Sequence, residues 1–462
     1  MKSIYWATLC AVVIIAPSSL RADRVVSTDT TQDGGTFVVD PAGALTISDQ
    51  SNDPLLTLTN GASTSGITSV IVGNQTGEMG QVLIKDGSIL TNSSQINLGY
   101  LQGSKGTTTV TGAGSQWQSS SEFNIGTSGT GTLNIENGGV LTAPNSVIGF
   151  ITGSNGTANI TSSGSQWNSG DLTIGYMGNA TLNVKDGGVV NTDGAAWVAL
   201  ATGSNATVTI TGNGSQWLIT RSLLLGYDKT ATGTVNVENG GFLSSESTFV
   251  GGSSPKATVT VTGAGSKWES ISSLQIAHQG TLNVNDGGVV VSGRIELQGT
   301  LSGNDGRIVG YVDNWSGALI SFRDSPGVLT IDGNLTNNGT VKFGIAGSGS
   351  GLFNQLIVTD DLSLGGIIEI DLLNGFTPTA HSQFKLLDAG NFHGQGLVRP
   401  LTFDFTHAAL GAGLSWDTST FAVDGTVRVV PEASSLLLVG IGAAAGLVCM
   451  RTKNGRSLAD NS

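Results

Sequence analysis

Short runs in which apolar and polar residues alternate recur along most of this chain. In a typical run, Thr132-Leu-Asn-Ile-Glu-Asn-Gly-Gly139, Leu133 and Ile135 alternate with polar residues before a turn of Asn and Gly. Such alternation places successive side chains on opposite faces of a β-strand. Between positions 36 and 301, no stretch of about ten residues keeps a helical apolar stripe without a glycine. The pattern therefore predicts an all-β protein.

The runs belong to a repeat. A phrase from Thr109 to Trp117 recurs three times, so that its tryptophans are 50, 50 and 51 residues apart. A second feature, here called the marker, is a Gly or Ala that follows an apolar residue and comes twice per period. The unit is therefore about 25 residues long and is used in two alternating versions. The markers are Gly73, Gly99, Gly126, Gly149, Gly175, Ala199, Gly226, Gly251 and Ala277.

This period selects the fold. A propeller blade needs about 40 residues, which the double repeat could fill, but the marker spacing favours one coil per half-repeat. We predict a right-handed parallel β-helix of about 25 residues per coil, followed by a small β-rich C-terminal region and a single C-terminal hydrophobic helix. Turns that need positive φ are expected at Asn137, Asp186, Asn239 and Asp286, each followed by two glycines.

The chain divides into six predicted segments. The order is a signal peptide, an N-terminal cap with the first coils, the β-helical repeats, a degenerate coil or linker, a β-rich C-terminal region and a C-terminal signal. The β-rich region fits either a small terminal domain or continued coils with a cap. The boundaries are 1–22, 23–70, 71–301, 302–325, 326–430 and 431–456.

Both ends carry export signals. Lys2, an apolar run of about 13 residues and small residues before Ala22 predict a secretory signal peptide. The alternative, a retained anchor, is disfavoured because a spanning helix needs about 20 residues. At the other end, the motif Val430, Pro431, Glu432 and Ala433 precedes an apolar segment, 436–450, and then the basic residues Arg451, Lys453 and Arg456. The basic residues should stay cytoplasmic, which places the β-helix outside the inner membrane.

Composition restricts the chemistry. The chain has 69 Gly, 9 Pro and 11% charged residues, with a net charge of −13, which argues against a nucleic-acid partner. The two cysteines lie at positions 10 and 449, outside the repeats. No spacing of histidines or acids indicates a metal or a catalytic pair, so we predict no cofactor, no metal and no catalytic residue. The histidines and acids that lack such a spacing are His278, His381, His393, His407, Asp332, Asp360, Asp361 and Asp371.

The repeated tryptophans form the sharpest candidate site. Because their spacing is a whole number of coils, Trp117, Trp167, Trp217 and Trp268 should lie on one face in near-vertical register. In one interpretation each covers a coil edge and packs on the Gly-Ala-Gly turn. In the other they form an exposed stripe that stacks on an extended polysaccharide. Exposure decides between the two.

The double phrase resembles a repeat shared by autotransporter passengers and PEP-CTERM proteins of Gram-negative bacteria. The resemblance covers about residues 73–299, and the C-terminal signal also resembles the PEP-CTERM sorting signal. It implies an exported β-helical surface protein that an exosortase-type enzyme recognises, with the C-terminal helix removed and the body released to the cell surface or extracellular polysaccharide. The motif departs from the family at Ala433, where a second proline is usual. A permanent tail anchor is the alternative.

Two function classes follow. The first is a non-enzymatic structural protein of the cell surface or extracellular matrix, adhesive or associated with exopolysaccharide. The second is a polysaccharide-active lyase or hydrolase on a β-helix. An enzyme should interrupt the repeat where its charged side chains cluster. The repeat runs unbroken through the middle of the chain, which favours the first class.

Overall fold

The computed structural model describes residues 23–252, 256–322, 326–393 and 399–432. The predicted signal peptide, the predicted helix 436–450 and the basic residues Arg451, Lys453 and Arg456 lie outside these ranges. The chain forms two compact units. Unit 1 contains the described residues up to Leu172 together with Gly178–Thr181, and unit 2 contains Thr173–Met177 and the described residues from Leu182 onward. Within the described ranges, no helix has the length and apolar character needed to cross a membrane.

Unit 1 consists of short strands. Two further strands, Gln166–Ile174 and Asn179–Lys185, contain residues of both units. The strands wholly in unit 1 are Arg24–Val26, Thr30–Asp33, Thr36–Ile47, Leu55–Thr59, Ser63–Val72, Met79–Ile84, Ile89–Asn92, Ile96–Leu98, Lys105–Thr111, Gln116–Ser119, Phe123–Ile125, Thr130–Glu136, Val140–Ile148 and Asn155–Thr161.

Unit 2 has the same character and ends in a small cap. Its one described helix is Phe421–Asp424. Its strands are Val189–Thr192, Ala196–Val198, Asn205–Thr211, Gln216–Ile219, Ser222–Leu225, Thr232–Glu238, Phe242–Val250, Lys256–Thr262, Lys267–Ile276, Gly280–Asn285, Val289–Leu297, Thr300–Asn304, Gly306–Asn314, Leu319–Ser321, Val328–Asp332, Leu335–Asn337, Thr340–Ile345, Gln355–Leu364, Ile367–Leu372, Gln383–Lys385, Leu387–His393, Thr402–His407, Leu414–Asp417 and Thr426–Pro431.

Alternation decides which side chains form the core. In Thr130–Glu136, Gly131, Leu133 and Ile135 are buried, whereas the residues between them are exposed or half-buried. This strand pairs in parallel with Lys105–Thr111 on one side and with Asn155–Thr161 on the other, without a shift in register. Each aliphatic side chain therefore lies against its counterpart one coil away. Both units are parallel β-solenoids, as the repeat predicts; right-handed winding stays a prediction.

The coil length follows the repeat and then departs from it. Lys105 pairs with Thr130, and Thr130 pairs with Asn155, each 25 residues on. In unit 2, Thr281 pairs with Thr300, and Thr300 pairs with Leu319, each 19 residues on. The recognisable phrases end near position 301, but parallel coils continue. The alternation that drives strand pairing survives after the markers are lost.

Corners take the conformations that their residues favour. Asn137, Asp186, Asn239 and Asp286 have φ between 50° and 52°, as expected for Asn or Asp before two glycines. The marker Gly99 also has a positive φ of 64°, and a Cβ there would meet the carbonyl oxygen of Thr130 at 2.3 Å. Most markers are therefore glycine because the chain passes too close for a side chain.

The last described part of unit 2 combines coils with a different sheet. Ile367–Leu372 pairs in parallel with Thr402–His407, which continues the solenoid. Thr426–Pro431 instead pairs antiparallel with Gln383–Lys385 and Leu414–Asp417. Phe384 and Phe421, neither of which has exposed surface, form part of the core beneath this small sheet.

Candidate binding surface

The repeated tryptophans lie in the core of their units. None of Trp117, Trp167, Trp217 and Trp268 has any exposed surface. In unit 1, Trp117 pairs with Leu90 on one side and with Leu141 on the other. Its ring also packs edge-on against Phe123, with 5.0 Å between the ring centroids.

The register in unit 2 is the one that the two-coil period predicts. Val190, Trp217, Leu243 and Trp268 occupy the same position in four successive strands. The two tryptophans therefore lie two coils apart with a leucine between them. The glycan-stacking interpretation is wrong for all four tryptophans, because a ring without exposed surface has no face to offer a sugar.

The indole N–H groups are satisfied in some coils and not in others. Trp117 Nε1 donates to Asn92 Oδ1 at 2.9 Å, and Trp217 Nε1 donates to Thr192 Oγ1 at 3.1 Å. Asn92 and Thr192 each lie two residues beyond the tryptophan's neighbour in the preceding coil. The Nε1 atom of Trp167 has no partner among the described residues. The repeat places Ala143 at the equivalent position there, and alanine offers no acceptor.

Trp268 also lacks a partner for its Nε1 atom within the described chain, although a hydroxyl is present. The equivalent residue is Ser245, whose hydroxyl is hydrogen-bonded to that of Thr248 at 2.7 Å. The Ser245 hydroxyl is therefore engaged in a local hydrogen bond instead of one with the indole. The repeat conserves the shape of the tryptophan site and not its polar partner.

Exposed apolar side chains occur at another place, here called the marker corner: the two residues after each of the markers Gly99, Gly149, Gly175 and Gly226. In unit 1, Tyr100, Leu101 and Ile151 are exposed by 37%, 42% and 38%. The amide of Tyr100 donates to the carbonyl of Gly73 at 2.9 Å, and that of Phe150 to the carbonyl of Gly126 at 3.0 Å. Each of these bonds joins the backbone of a corner to the marker of the preceding coil. The spacing in the sequence reveals the markers, whereas the exposure of the residues after them depends on how the corner folds.

Unit 2 repeats this feature. Tyr176, Met177 and Tyr227 are exposed by 37%, 37% and 54%. The backbone amide of Tyr227 donates to the carbonyl of Ala199 at 3.2 Å, which is the same corner bond. Apolar side chains are thus held in solvent at equivalent positions by the backbone of the coil.

A groove lies beside the exposed Trp315 of unit 2. Trp315 follows the strand Gly306–Asn314 directly and is 47% exposed. The groove has a volume of about 330 Å³ and is lined by Arg294, Asp313, Asn314, Trp315, Ser316, Asn338 and Arg399. A second groove of about 420 Å³ shares Ser316, Asn338 and Arg399 with the first. The two form one depression with an aromatic side chain at its edge.

The charges in this groove are partly paired. Arg294 forms an ion pair with Asp313, which is only 9% exposed, and a longer contact of 3.6 Å with Glu296. The Arg294 guanidinium also lies 5.6 Å from the ring centre of Tyr311. Burial raises the pKa of the Tyr311 hydroxyl, and a hydrogen bond with Thr336 offsets part of this rise. Arg399 forms no ion pair with any described residue.

A second polar cluster lies on the strand Ile367–Leu372. Glu369 and Asp371 are two residues apart, so their side chains lie on the same face of the strand. Lys342 Nζ lies 2.7 Å from a carboxylate oxygen of each. His407 Nδ1 lies 3.5 Å from Asp371. Burial lowers the pKa of Lys342, but the hydrogen bonds to Asp371 and Glu369 outweigh it, so the net shift is upward. Of the acids named from the sequence, Asp371 belongs to this cluster; strand pairing places Lys342 beside it and beside Glu369, which was not among those acids.

This cluster has the ligand types of a cation site but already contains a cation. Ligand atoms of Glu369, Asp371 and His407 lie within 4.8 Å of one another. Lys342 on the neighbouring strand forms ion pairs with both carboxylates and offsets one of their two charges, so the arrangement is explained as an ion-pair network. The signal in the sequence was Glu-Ile-Asp in a strand, which puts both acids on one face.

The other histidines and acids named from the sequence are dispersed. His393 contacts Asp361 at 3.0 Å, and Asp332 forms an ion pair with Arg307. The hydrogen bond from His393 is the main reason that the pKa of Asp361 is lowered. His278 Nδ1 lies 3.2 Å from the carbonyl oxygen of Gln298. These pairs lie near the ends of strands and converge on no common centre.

The sorting motif is only partly described. Val430 and Pro431 end the antiparallel strand Thr426–Pro431, where they pair with Ser415 and Leu414. The amide of Glu432 donates to the carbonyl of Gly413 at 2.8 Å. Pro431 and Glu432 are exposed, whereas Ala433 lies outside the described residues.

Comparisons with known proteins give partial similarities. No protein-family model matches the chain. Over 80 residues it is 38% identical to the adhesin BmaC autotransporter of Brucella suis biovar 1 (strain 1330), a stretch that is 16% of this chain and 2% of that protein. The chain therefore spans a very small part of this relative.

Two solved structures are similar to the chain at low sequence identity. One is a hyper-glycosylated fragment of TibA, modified by TibC, with 17% identity, a TM-score of 0.37 and coverage of 82% of this chain and 99% of that one. The other is the Haemophilus influenzae Hap adhesin, with 13% identity, a TM-score of 0.33 and coverage of 88% and 58%.

Proposed function

We propose that this chain is an exported, non-enzymatic adhesive protein of a Gram-negative cell surface, which contacts extracellular polysaccharide through its marker corners. The observation that carries the proposal is the recurrence of exposed Tyr, Leu, Ile and Met side chains at equivalent corners in each unit. Single exposed apolar residues are ordinary, but a recurring set is not. The 80-residue similarity to an adhesin supports the same function.

The geometry suits many weak contacts. Neighbouring strands are about 4.8 Å apart, so equivalent side chains two coils apart, such as Tyr100 and Phe150, are separated by about 10 Å. A polymer with a repeating structure can engage several such corners at once. Multivalent contact can then exceed the affinity of a single corner by about 10²-fold or more. A solenoid provides this without any pocket.

The test is sedimentation of the purified chain with insoluble polysaccharides such as cellulose, chitin and calcium alginate gel. The double variant Tyr100→Ser, Ile151→Ser should lower the bound fraction, because it removes two of the six exposed corner side chains. Val25→Ser is the matched control, since Val25 is 61% exposed and lies outside the marker corners. Equal binding by the double variant and the control would contradict the proposal.

The same experiment addresses the enzymatic alternative. Release of soluble sugar from any of these polymers by the chain would support a lyase or hydrolase instead. The cluster around Glu369 and Asp371 is the place to examine first, and Glu369→Gln should then abolish the release. The ion pairs of both acids with Lys342 favour the non-enzymatic function.

We further propose that the C-terminal signal directs sorting by an exosortase-type enzyme. The proposal rests on the resemblance of Val430 to Ala433 and the following apolar and basic segments to that signal. Mass analysis of the protein from the cell surface is the test. A C-terminus near residue 431 is expected. An intact peptide covering 436–451 in the surface fraction would favour the permanent anchor and contradict processing.

A further inference from the structure

We infer that the groove beside Trp315 is a binding site for an acidic sugar, a pyranose that carries a carboxylate. The inference deepens the proposed function, since an extracellular polysaccharide would supply the ligand. The groove lies in unit 2, apart from the corner residues of unit 1 that are tested above. Three features carry the inference: an exposed indole, an arginine without an ion-pair partner among the described residues, and a set of polar groups held around them.

The first feature is the apolar face. Trp315 is 47% exposed, whereas the four repeat tryptophans have no exposed surface. The segment Val312–Asn314 pairs with Leu335–Asn337, and Trp315 directly follows the last paired residue, Asn314. Its amide donates to the carbonyl of Leu297 at 2.9 Å, which anchors the backbone while the indole stays in solvent. A flat aromatic face of this kind stacks on the C–H face of a pyranose ring.

The second feature is the positive charge of Arg399. The groove is lined by Arg294, Arg399 and Asp313. The Arg294 charge is neutralised by Asp313, whereas Arg399 has no acidic partner among the described residues. The backbone amide of Arg399 donates to Asn338 Oδ1 at 2.9 Å, so the residue is tied to the groove wall. Arginine binds carboxylates through two parallel hydrogen bonds, which specifies an acidic ligand.

The charge of the whole chain sharpens this point. Residues 23–431 carry 15 Lys and Arg and 31 Asp and Glu, a net charge of 15 − 31 = −16. An anionic sugar is therefore repelled by most of the surface. The groove departs from this excess of acids: its lining has two arginines and one aspartate, and with Glu296, which contacts Arg294, the charges of the two signs balance.

The third feature is a polar floor. Asn314 is 1% exposed, and its Nδ2 donates to Asn337 Oδ1 at 2.6 Å, which leaves its Oδ1 atom without a donor among the described residues. This oxygen has an accessible surface below 1 Å², so it adds polarity beneath the groove and no direct contact to a sugar. Ser316 and Asn338 add groups that can bind sugar hydroxyls. Volumes of about 330 and 420 Å³ are adequate for one or two sugar units.

Titration of the purified full chain with an oligogalacturonate and with the neutral oligogalactose of the same length tests the inference. Quenching or a shift of tryptophan fluorescence reports binding. The acidic sugar should bind at least about tenfold more tightly than the neutral one at low salt. This preference should shrink as salt screens the arginine.

Three variants separate the parts of the site. Trp315→Ala should weaken binding of both sugars by about tenfold or more, measured by calorimetry, and Trp315→Phe should restore part of it because a ring is retained. Arg399→Gln should remove the preference for the acidic sugar and leave the neutral one unchanged. Arg221→Gln is the matched control, because it makes the same charge change at an exposed arginine outside the groove.

Three outcomes would overturn the inference: no binding of the acidic sugar by the unmodified chain, equal affinity for the two sugars, or an Arg399→Gln variant that behaves like Arg221→Gln. None of these measurements uses the marker corners of unit 1. A failure here with retained sedimentation on polysaccharide would refute the groove and leave the adhesive function in place. The reverse result would refute the marker corners and keep the groove.

Discussion

At the scale of single residues, the tryptophan repeat shows that a sequence repeat need not repeat its hydrogen bonds. All four indoles are buried, yet Trp117 and Trp217 have acceptors and Trp167 and Trp268 have none among the described residues. An indole N–H that is buried without a partner costs free energy of about 1–3 kcal/mol. The coils therefore differ in stability although their shapes agree.

This difference predicts the effect of removing a single hydroxyl. Thr192→Val keeps the volume of the side chain but leaves the Trp217 indole without its acceptor. The free energy of unfolding should fall by about 1–2 kcal/mol, measured by denaturant titration. Thr142→Val, at an exposed position next to Ala143, should change it by less than about 0.5 kcal/mol. Equal effects of the two variants would show that the indole bond contributes nothing.

The half-buried carboxyl of Glu122 gives a prediction of pH dependence. Burial raises the pKa of Glu122 above 4.5, and a hydrogen bond from Asn124 offsets only part of the rise. The folded state therefore holds this proton more tightly than the unfolded state, so its contribution to stability declines as pH rises from about 4.5 through the folded-state pKa.

The matching variant is Glu122→Gln, which cannot ionise. Its melting temperature should exceed that of the unmodified chain at pH 7, and the difference should vanish near pH 4, where both side chains are neutral. Glu136→Gln, on the outer face of its strand, is the control. If Glu122→Gln were less stable at pH 7, the carboxylate would have a stabilising partner instead.

At the scale of elements, the strands and the coil length of the repeats could be predicted from the sequence, whereas the coils after the repeats could not. The alternation in runs such as Thr132 to Gly139 determines which side chains face inward, because each strand has only two faces. The marker spacing then gives the coil length. After the last marker, Ala277, the regular spacing is lost, so the 19-residue coils from Thr281 to Leu319 could not be counted from the sequence.

The candidate site was less predictable for the same reason. Burial of the tryptophans depends on which face of the strand turns inward, and Gln-Trp-Gln fits either face. The pairing of Lys342 with Glu369 requires knowledge of which strands are neighbours, and these residues are 27 apart in a region without markers. The groove beside Trp315 requires contacts between four separate segments. A sequence repeat predicts which residues lie one coil apart. It does not predict contacts between segments that depart from the repeat, such as those that line this groove.

Glycines inside strands provide a test of the coil geometry. Gly131 and Gly233 occupy the same place in the strands Thr130–Glu136 and Thr232–Glu238. A Cβ on Gly131 would lie 2.1 Å from the backbone nitrogen of Gly126, whereas one on Gly233 would have its nearest neighbour, the Val198 carbonyl oxygen, at 3.0 Å. The markers differ too: the coil before Gly233 has Ala199 in place of glycine.

Gly131→Ala should therefore destabilise the chain by about 1–3 kcal/mol, because backbone atoms must move to admit the methyl group. Gly233→Ala should cost less than about 1 kcal/mol, since the reduced freedom of the unfolded chain offsets part of the crowding. Denaturant titration of both variants is the measurement. The same loss in both would mean that the coil closes equally tightly at the two places.

At the scale of the whole molecule, the acidic surface and the apolar corners predict opposite responses to salt. A net charge of −16 over residues 23–431 repels anionic polymers and cell surfaces at low ionic strength. The Debye length falls from about 10 Å at 0.1 M salt to about 3 Å at 1 M, so this repulsion is screened. Apolar contacts at the marker corners are not weakened by screening.

Adhesion of the purified chain to calcium alginate gel, an anionic polymer, should therefore be retained or strengthened when sodium chloride is raised from about 0.05 to about 0.5 M. Adhesion to cellulose, which is neutral, should change little over the same range. The bound fraction measured by sedimentation compares the two. Salt also screens Arg399 in the Trp315 groove, which would weaken binding of an anionic polymer there. The prediction is therefore made for the Arg399→Gln chain, in which the marker corners act alone. A steep fall in adhesion with salt in that variant would mean that charge, and not the exposed apolar corners, holds the protein to its partner.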